Sequence, residues 1–378
     1  MVERYERVRL TNPDKVLYPA TGTTKAEIFE YYVTIADAMV PHIAGRPVTR
    51  KRWPNGVGGM DFFEKQLASS APDWLERGTV VHKSGSTTYP IIDTREGLAW
   101  IAQQASLEVH VPQWRFVGSD PGPATRIVFD LDPGDDVTFR QLCDVAQEVR
   151  GFITDIGLTT FPLTSGSKGL HLYVPLQDPI SSSGASTLAK RIAQQLEKTM
   201  PKQVTATMTK SLREGKVFLD WSQNSAAKTT IAPYSMRGRD HPTVAAPRTW
   251  DEIEDPDLRH LRFDEVLERV ARDGDLLAPL DENIPLPDKL TTYRSMRDPG
   301  KTREPVPQKP PTVGNDDTFV IQEHHARRLH YDFRLERNGV LVSWAVPKNL
   351  PETTSVNHLA VHTEDHPLEY ATFEGLIP

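Results

Sequence analysis

Strand-like and helix-like segments alternate without a gap from residue 5 to about 292, with hairpin-like stretches between them, and this predicts α/β or α+β layering. Length points to more than one unit: 378 residues exceed the roughly 250–300 at which single cores stop growing. Composition agrees, with 38% hydrophobic and 25% charged residues, an ordinary globular balance. The first helix signal is Thr23-Thr24-Lys25-Ala26-Glu27, a capping hydroxyl ahead of an acid. Ile28, Tyr31, Tyr32, Ile35 and Met39 then recur at helical spacing. Arg126 to Asp132 reads as a strand stopped by Pro133-Gly134. An amphipathic helix follows over 139–156, carried by Leu142, Val145, Val149, Phe152 and Ile153. Leu170–Val174 is again strand-like, 185–200 helical, and Lys216–Asp220 a further strand.

Residues 296–316 hold five prolines, two glycines and almost no large apolar side chain, the composition of an extended linker. The expected layout is therefore a domain over 1–295, a linker over 296–317 and a second domain over 318–378. In the second, Thr318–Gln322 is strand-like. Asn338-Gly339 suits a type I′ turn between Asp332–Leu335 and Val340–Trp344. The chain ends on an apolar run, so this domain reads as cut short.

The 44 basic and 51 acidic side chains give a net charge of −7. That total argues against a nucleic-acid partner, although net charge ignores distribution. A single cysteine, Cys143, excludes an internal disulfide and fits a reducing cytosol. No window approaches 18 apolar residues and half of the first ten are charged, which excludes membrane spanning and export.

The sharpest motif is Phe129-Asp130-Leu131-Asp132-Pro133. Acids at i and i+2 of a strand share a face. Two acids on an apolar strand repel each other and are costly to desolvate unless a cation lies between them; oxygen ligands favour Mg²⁺ or Mn²⁺. The blander alternative is a solvent-facing strand end with Asp132 starting the Pro-Gly turn. Asp220 ends another apolar strand, and three such acids can hold two metals around a phosphoryl group. Its own blander role is to cap the next turn. Thr164-Ser165-Gly166-Ser167-Lys168-Gly169-Leu170-His171 offers close backbone approach, hydroxyls, amides and a lysine for phosphate oxygens, but lacks Walker A spacing. Otherwise it is a flexible surface hairpin. Arg46, Arg50, Lys51, Arg52 and Trp53, with Phe62 and Phe63 between charges, could form a basic groove with stacking aromatics, with Lys15 and Lys25 adding charge. Core burial of the phenylalanines is the alternative. Arg237 and Arg239 lie two apart on an extended segment, suited to a triphosphate.

Assembled in order, FDLDP, TSGSKGLHLYVPL, FLDWSQN and KTTIAPYSMRGR make the first 290 or so residues resemble the polymerase domain of bacterial ATP-dependent DNA ligase D, in its mycobacterial form. That domain belongs to the archaeo-eukaryotic primase superfamily. The resemblance implies an α+β fold, a primase-like catalytic core with an N-terminal α/β extension. It further implies a nucleotidyltransferase that adds ribo- or deoxynucleotides at broken DNA ends, using two Mn²⁺ or Mg²⁺ ions per site and an NTP or dNTP. Asp130, Asp132 and Asp220 match the metal-binding catalytic acids. Ser165, Lys168, His171, Arg237, Arg239 and His110 match positions that hold the incoming nucleotide. Lys15 and Lys25 match lysines that hold a 5′-phosphate, Phe62 and Phe63 aromatics near the template with Arg52 beside them, and Arg213 a mobile end-aligning loop. Implied partners are DNA with 5′-phosphorylated gaps or 3′-overhangs, a Ku homodimer and a DNA ligase domain or protein. The expected setting is a monomer in the bacterial cytoplasm, at the nucleoid.

QEHHARRLHYDFRLE and HTEDHPLEY resemble the 3′-phosphoesterase domain of ligase D, a small β-barrel, of which only part is expected here. His324, His330, Asp332, Arg334, His366 and Tyr370 match its metal and phosphate positions. Two other readings compete. One is a metal-dependent 3′-end-processing phosphoesterase whose first domain only delivers DNA. The other is a non-catalytic end-bridging protein.

Overall fold

The computed structural model describes residues 4–82, 85–281, 290–308, 317–326, 329–337 and 339–375. Asn338 of the expected turn and residues 309–316 of the expected linker lie outside them. The chain forms two compact units, Met1–Ile284 and Pro285–Pro378.

In the first unit, helices Lys25–Thr34, Ala36–Ile43 and Arg95–Gln103 pack over a four-stranded sheet. Its strand order is Thr230–Ile231, Ser106–Val111, Thr49–Arg52, Phe62–Glu64. Thr24 and Glu27 exchange both bonds of a capping box, as the sequence signal predicts. The single helix expected through Met39 is two, joined at Ile35, whose ψ of −3° tightens the chain before the second begins. Ile28, Phe29, Tyr31, Tyr32 and Met39 are nonetheless all buried in one core.

A larger sheet follows in the order Val204–Thr205, Val217–Asp220, Asp120–Pro133, Leu170–Ile180, Phe161–Thr164, Ala246–Pro247, and Trp114–Val117 also pairs with Asp120–Pro133. All pairs are antiparallel except that of Val204–Thr205 with Val217–Asp220. Ile127, Phe129 and Leu131 bury one face against helices Phe139–Asp155 and Ser182–Thr199. Period two then turns Val128, Asp130 and Asp132 to the opposite face. Largely antiparallel sheets, the larger with both of its long helices on one face, make the layering α+β.

The second unit is a sheet of Phe319–His325, Leu329–Arg337, Val340–Val346 and Val361–His362, with His366–Pro367 pairing Val340–Val346. Among the described residues it is an open sheet. Leu290, Tyr293 and Val306 pack in its core with Val340, Leu341 and Tyr370. Of the segment read as an extended linker, the described part, residues 296–308, falls within this unit. Tyr293 Oη donates to Pro305 O at 2.9 Å and Arg294 Nε to Pro307 O at 2.6 Å. Side chains thus fasten a proline-rich stretch that has few N–H groups to offer a ladder.

Candidate active site

Register brings the acids together. Asp130 lies opposite His171 on one neighbouring strand and opposite Asp220 on the other, while Asp132 faces Phe218. Directly opposed residues of antiparallel strands project on the same side, so three carboxylates and one imidazole share a patch. His171 Nε2 is 3.2 Å from Asp130 Oδ1, and its buried Nδ1 has no hydrogen-bond partner. Asp220 also fills its blander role: it caps the 3₁₀ turn Trp221–Asn224, accepting from Ser222 N–H at 2.9 Å, from the Ser222 hydroxyl and from Gln223 Nε2 at 3.0 Å. Lys228 Nζ in turn donates to Ser222 Oγ.

Desolvation, then the charge of Asp130 and that of Asp220, push the Asp132 carboxyl up to about 7, against the pull of His171. A carboxyl so disfavoured as an anion, on a patch of hard oxygen donors with an orphaned imidazole nitrogen, fits a divalent cation. The oxygens of the three acids are not all drawn within 4.8 Å of one another; among the described residues only His324, His330 and Asp332 form such a group.

The Ser165–Gly169 loop curls over the same edge. Ser165 Oγ accepts from the N–H groups of Ser167 and Gly169, at 3.3 and 3.1 Å. Gly166, at φ +69°, sits where a Cβ would meet Val244 O at 2.6 Å and Arg237 Cγ at 2.7 Å, and one on Gly169 would meet Leu131 O at 2.6 Å. Glycine is required at both, and the loop is thereby pressed between Asp132 and Arg237. Lys168 and Arg239 are exposed, whereas Arg237 is half-buried.

Three tyrosines hold the segment that carries those arginines. Tyr31 Oη donates to Tyr234 O and Tyr18 Oη to Arg237 O, each at 2.7 Å, and Tyr32 Oη accepts from Met236 N–H at 3.2 Å. His110 meets Phe63 edge to face at 5.4 Å and bonds Glu108. Glu108 is not among the residues expected from sequence. Its signal was present: Leu107, Val109 and Val111 are buried apolar residues, so period two sets Glu108 beside His110.

The basic cluster divides. Arg46 is fully buried, donating to His42 O, Pro112 O and Thr125 Oγ1. Arg50 is 2% exposed, pairs with Glu64 at 3.3 Å and lies over the Trp100 ring. Neither is part of an open groove, which corrects the expectation for these two. Arg52 stays at the surface region, over Phe62 and paired with Glu64 at 3.0 Å. Phe62 and Phe63 are exposed, at 39% and 58%, rather than core. Lys51 lies 4.6 Å from the Trp53 ring centroid and 5.4 Å from that of Phe63. Lys25 is buried, its ammonium donating to Thr11 O at 2.9 Å and Gln103 Oε1 at 3.0 Å, whereas Lys15 is exposed and donates to Asn55. Desolvation, then Lys15 and Arg52, lower Lys25 to about 8. Arg213 ends the short turn Lys210–Leu212 and stacks on Phe218, the register partner of Asp132.

In the second unit, His324 Nδ1 and His330 Nε2 lie 3.5 and 3.6 Å from the Asp332 oxygens. Arg334 pairs with Asp332 at 2.9 Å, donates to Gln322 Oε1 and Ser343 Oγ, and lies over Tyr370. Burial, then the Arg334 charge, lower His366 to about 4. Tyr370 Oη donates to Glu304 Oε1, which Arg297 also holds. Arg297, Glu304 and Gln322 were not foreseen; Gln322 alone had a signal, two residues before His324 on the same strand face.

Residues 24–277 match the family described as LigD, primase-polymerase domain, and residues 322–378 the DNA Ligase D 3′-phosphoesterase domain. A "Multifunctional non-homologous end joining protein LigD" of Mycolicibacterium smegmatis is 78% identical over 377 residues, 100% of this chain and 50% of that protein. The "Multifunctional non-homologous end joining DNA repair protein LigD" of Mycobacterium tuberculosis is 70% identical over 379 residues, 99% of this chain and 50% of that protein. The chain thus spans about half the length of these curated relatives. A solved "Polymerase Domain from Mycobacterium tuberculosis Ligase D in complex with DNA" superposes with a TM-score of 0.72 at 70% identity, covering 73% of this chain and 99% of that one.

Proposed function

This chain belongs to the LigD primase-polymerase family, and from that premise we propose that it adds rNTPs or dNTPs to primer 3′-hydroxyls at gaps and broken DNA ends. One observation carries the reading: register sets Asp130 opposite both Asp220 and His171, beside a loop pressed between Asp132 and Arg237. Asp130, Asp132 and Asp220 would hold the divalent ions, Mn²⁺ or Mg²⁺, two per site. When bound, such ions lower the pKa of an attacking hydroxyl and offset charge on the phosphates. The remaining roles fall to the chain. Ser165, Lys168, His171, Arg237 and Arg239 bind and neutralise a triphosphate, with His110 beside them. Phe62, Phe63 and Arg52 supply stacking and charge for a template strand, Lys15 and Lys25 hold a 5′-phosphate, and Arg213 helps align two ends.

The substrate in this reading is DNA with 5′-phosphorylated gaps or 3′-overhangs. The pathway is non-homologous end joining with a Ku homodimer and a ligase, in the bacterial cytoplasm at the nucleoid. Among the described residues no helix is long and apolar enough to cross a membrane. A second activity, metal-dependent trimming of 3′ ends, is favoured in the second unit by the His324, His330 and Asp332 group.

Primer extension on a 5′-phosphorylated gap tests the main reading, with rNTP against dNTP and Mn²⁺ against Mg²⁺. Asp130→Ala is expected to cut extension by at least about 10³-fold while binding of the gap stays intact. Undiminished nucleotide addition by that variant would sink the proposal.

A further inference from the structure

We infer that Glu108 is the positioning residue of the nucleotide site, one carboxylate that fixes both His110 and the Arg237-Gly238 turn; the inference rests on the polymerase reading above. Glu108 lies on strand Ser106–Val111, only 4% exposed. Its Oε2 accepts from His110 Nε2 at 2.9 Å. Its Oε1 accepts from Gly238 N–H at 3.1 Å and lies 3.4 Å from Arg237 Nε. These partners sit 2, 129 and 130 residues away in sequence, one on the same strand and two on the irregular segment between Ile231 and Ala246. A buried carboxylate without partners is strongly disfavoured, and these partners are two groups matched to the incoming nucleotide and the amide between the two arginines.

The local backbone is shaped for this contact. A Cβ on Gly238 would meet the Trp53 ring at 2.1 Å, so only glycine brings that N–H to Glu108 with the indole in place. Tyr18 fixes the carbonyl of Arg237 from the other side. The outcome is a turn with Arg237 and Arg239 at either side of a pinned peptide. Burial raises the Glu108 carboxyl, but the His110 bond, the Arg237 charge and the Gly238 N–H bring it down to about 2, so it is ionised at working pH. Burial lowers His110. A neutral His110 that donates through Nε2 keeps Nδ1 as an acceptor, and the carboxylate thus selects the tautomer as well as the orientation.

A purely structural ion pair would satisfy Arg237 and leave nucleotide affinity alone. Glu108→Gln in the whole chain separates the two. The readouts are the Kd for a non-hydrolysable NTP by calorimetry, KM and kcat in gap filling, the Kd for a 5′-phosphorylated gap without nucleotide, and Tm. The expected result is a rise of about tenfold or more in nucleotide Kd and KM, with kcat within about threefold and gap affinity unchanged. In a His110→Ala background the same substitution should cost at least about threefold less, because the two act as a unit. Nucleotide Kd within about twofold of wild type would overturn the inference. So would strict additivity with His110→Ala, or parallel losses of nucleotide affinity, gap affinity and Tm. Wild-type chain that binds nucleotide but never extends a primer would instead refute the polymerase reading, and the calorimetric comparison would still decide the role of Glu108.

Discussion

At Lys25 an ammonium is held in a place that disfavours its charge. It is buried between Thr11 and Gln103, with Lys15 and Arg52 near enough to repel it, and titrates near 8 rather than at the usual lysine value. A base with a lowered folded pKa binds fewer protons than in the unfolded chain. Its charge therefore costs stability at neutral pH, and that stability is regained as pH rises from about 8 towards 10.5. In the role proposed for Lys25, phosphate binding would have the opposite sign, since a phosphate needs the ammonium. Discrimination between 5′-phosphate and 5′-hydroxyl gaps is expected to be full below pH 8 and to fall as pH rises through 8. Gap-binding titrations from about pH 6.5 to 9.5 measure it, and a flat ratio would exclude Lys25 as the phosphate ligand. The same residue marks how far sequence goes at this scale. Composition put Arg46, Arg50, Lys15, Lys25 and Arg52 in one basic set. Only tertiary partners such as Thr125 and Pro112, 79 and 66 residues from Arg46, tell a core arginine from a ligand-facing cation.

Helix Lys25–Thr34 joins two parts of the site. Lys25 opens its first turn, and two turns later Tyr31 and Tyr32 grip the backbone on either side of Ser235. Tyr234 itself is held at φ +66°, a strained value for an aromatic residue, by a hydroxyl bond to Asp275 at 2.6 Å. Tyr32 Oη also donates to Leu107 O at 2.7 Å, next to Glu108. Tyr32→Phe keeps the ring and strands two buried backbone groups, a loss of about 1–3 kcal/mol. Urea unfolding is expected to show that loss, together with a higher KM for nucleotide as Arg237 loosens; an unchanged midpoint would mean water replaces the hydroxyl. The periodicity of this helix was plain in the sequence, and so were Thr24 as its cap and helices Phe139–Asp155 and Ser182–Thr199, because local pattern and capping chemistry decide them. The grip was not, since a tyrosine that packs and a tyrosine that also donates read alike. The pairing of Asp130 with Asp220 was legible only as two strand-end acids; their register across a separation of 90 positions is a property of the sheet.

For the whole molecule, the charge of −7 is a poor guide to any partner because it sums groups with opposite duties. Glu64, Glu108 and Asp275 are consumed by internal pairs with Arg50, Arg237 and His42, while Asp130, Asp132 and Asp220 form an acidic patch that favours a cation. The proline-rich stretch misled in the other direction. Its composition says linker, yet Glu304 is buried, Val306 packs in the second unit's core, and Pro305 O accepts from the neighbouring Tyr293, whose ring is fully buried edge to face with His366 at 5.0 Å and with Tyr370 at 6.3 Å. That places Leu290, Tyr293 and Val306 in the core of the second unit, with Tyr293 beside its candidate site. Tyr293→Ala in the whole chain removes a ring from that core and is expected to cost about 3–5 kcal/mol. Hydrogen exchange should then lose protection along Val340–Val346, and any 3′-end trimming should fall with it. Primer extension should stay at the wild-type level, because the acids, the loop and the arginines all belong to the first unit. Retained protection in that strand would mean the segment is a passive tether. A matching loss of primer extension would instead favour a single activity, housed in the second unit, with the first only delivering DNA.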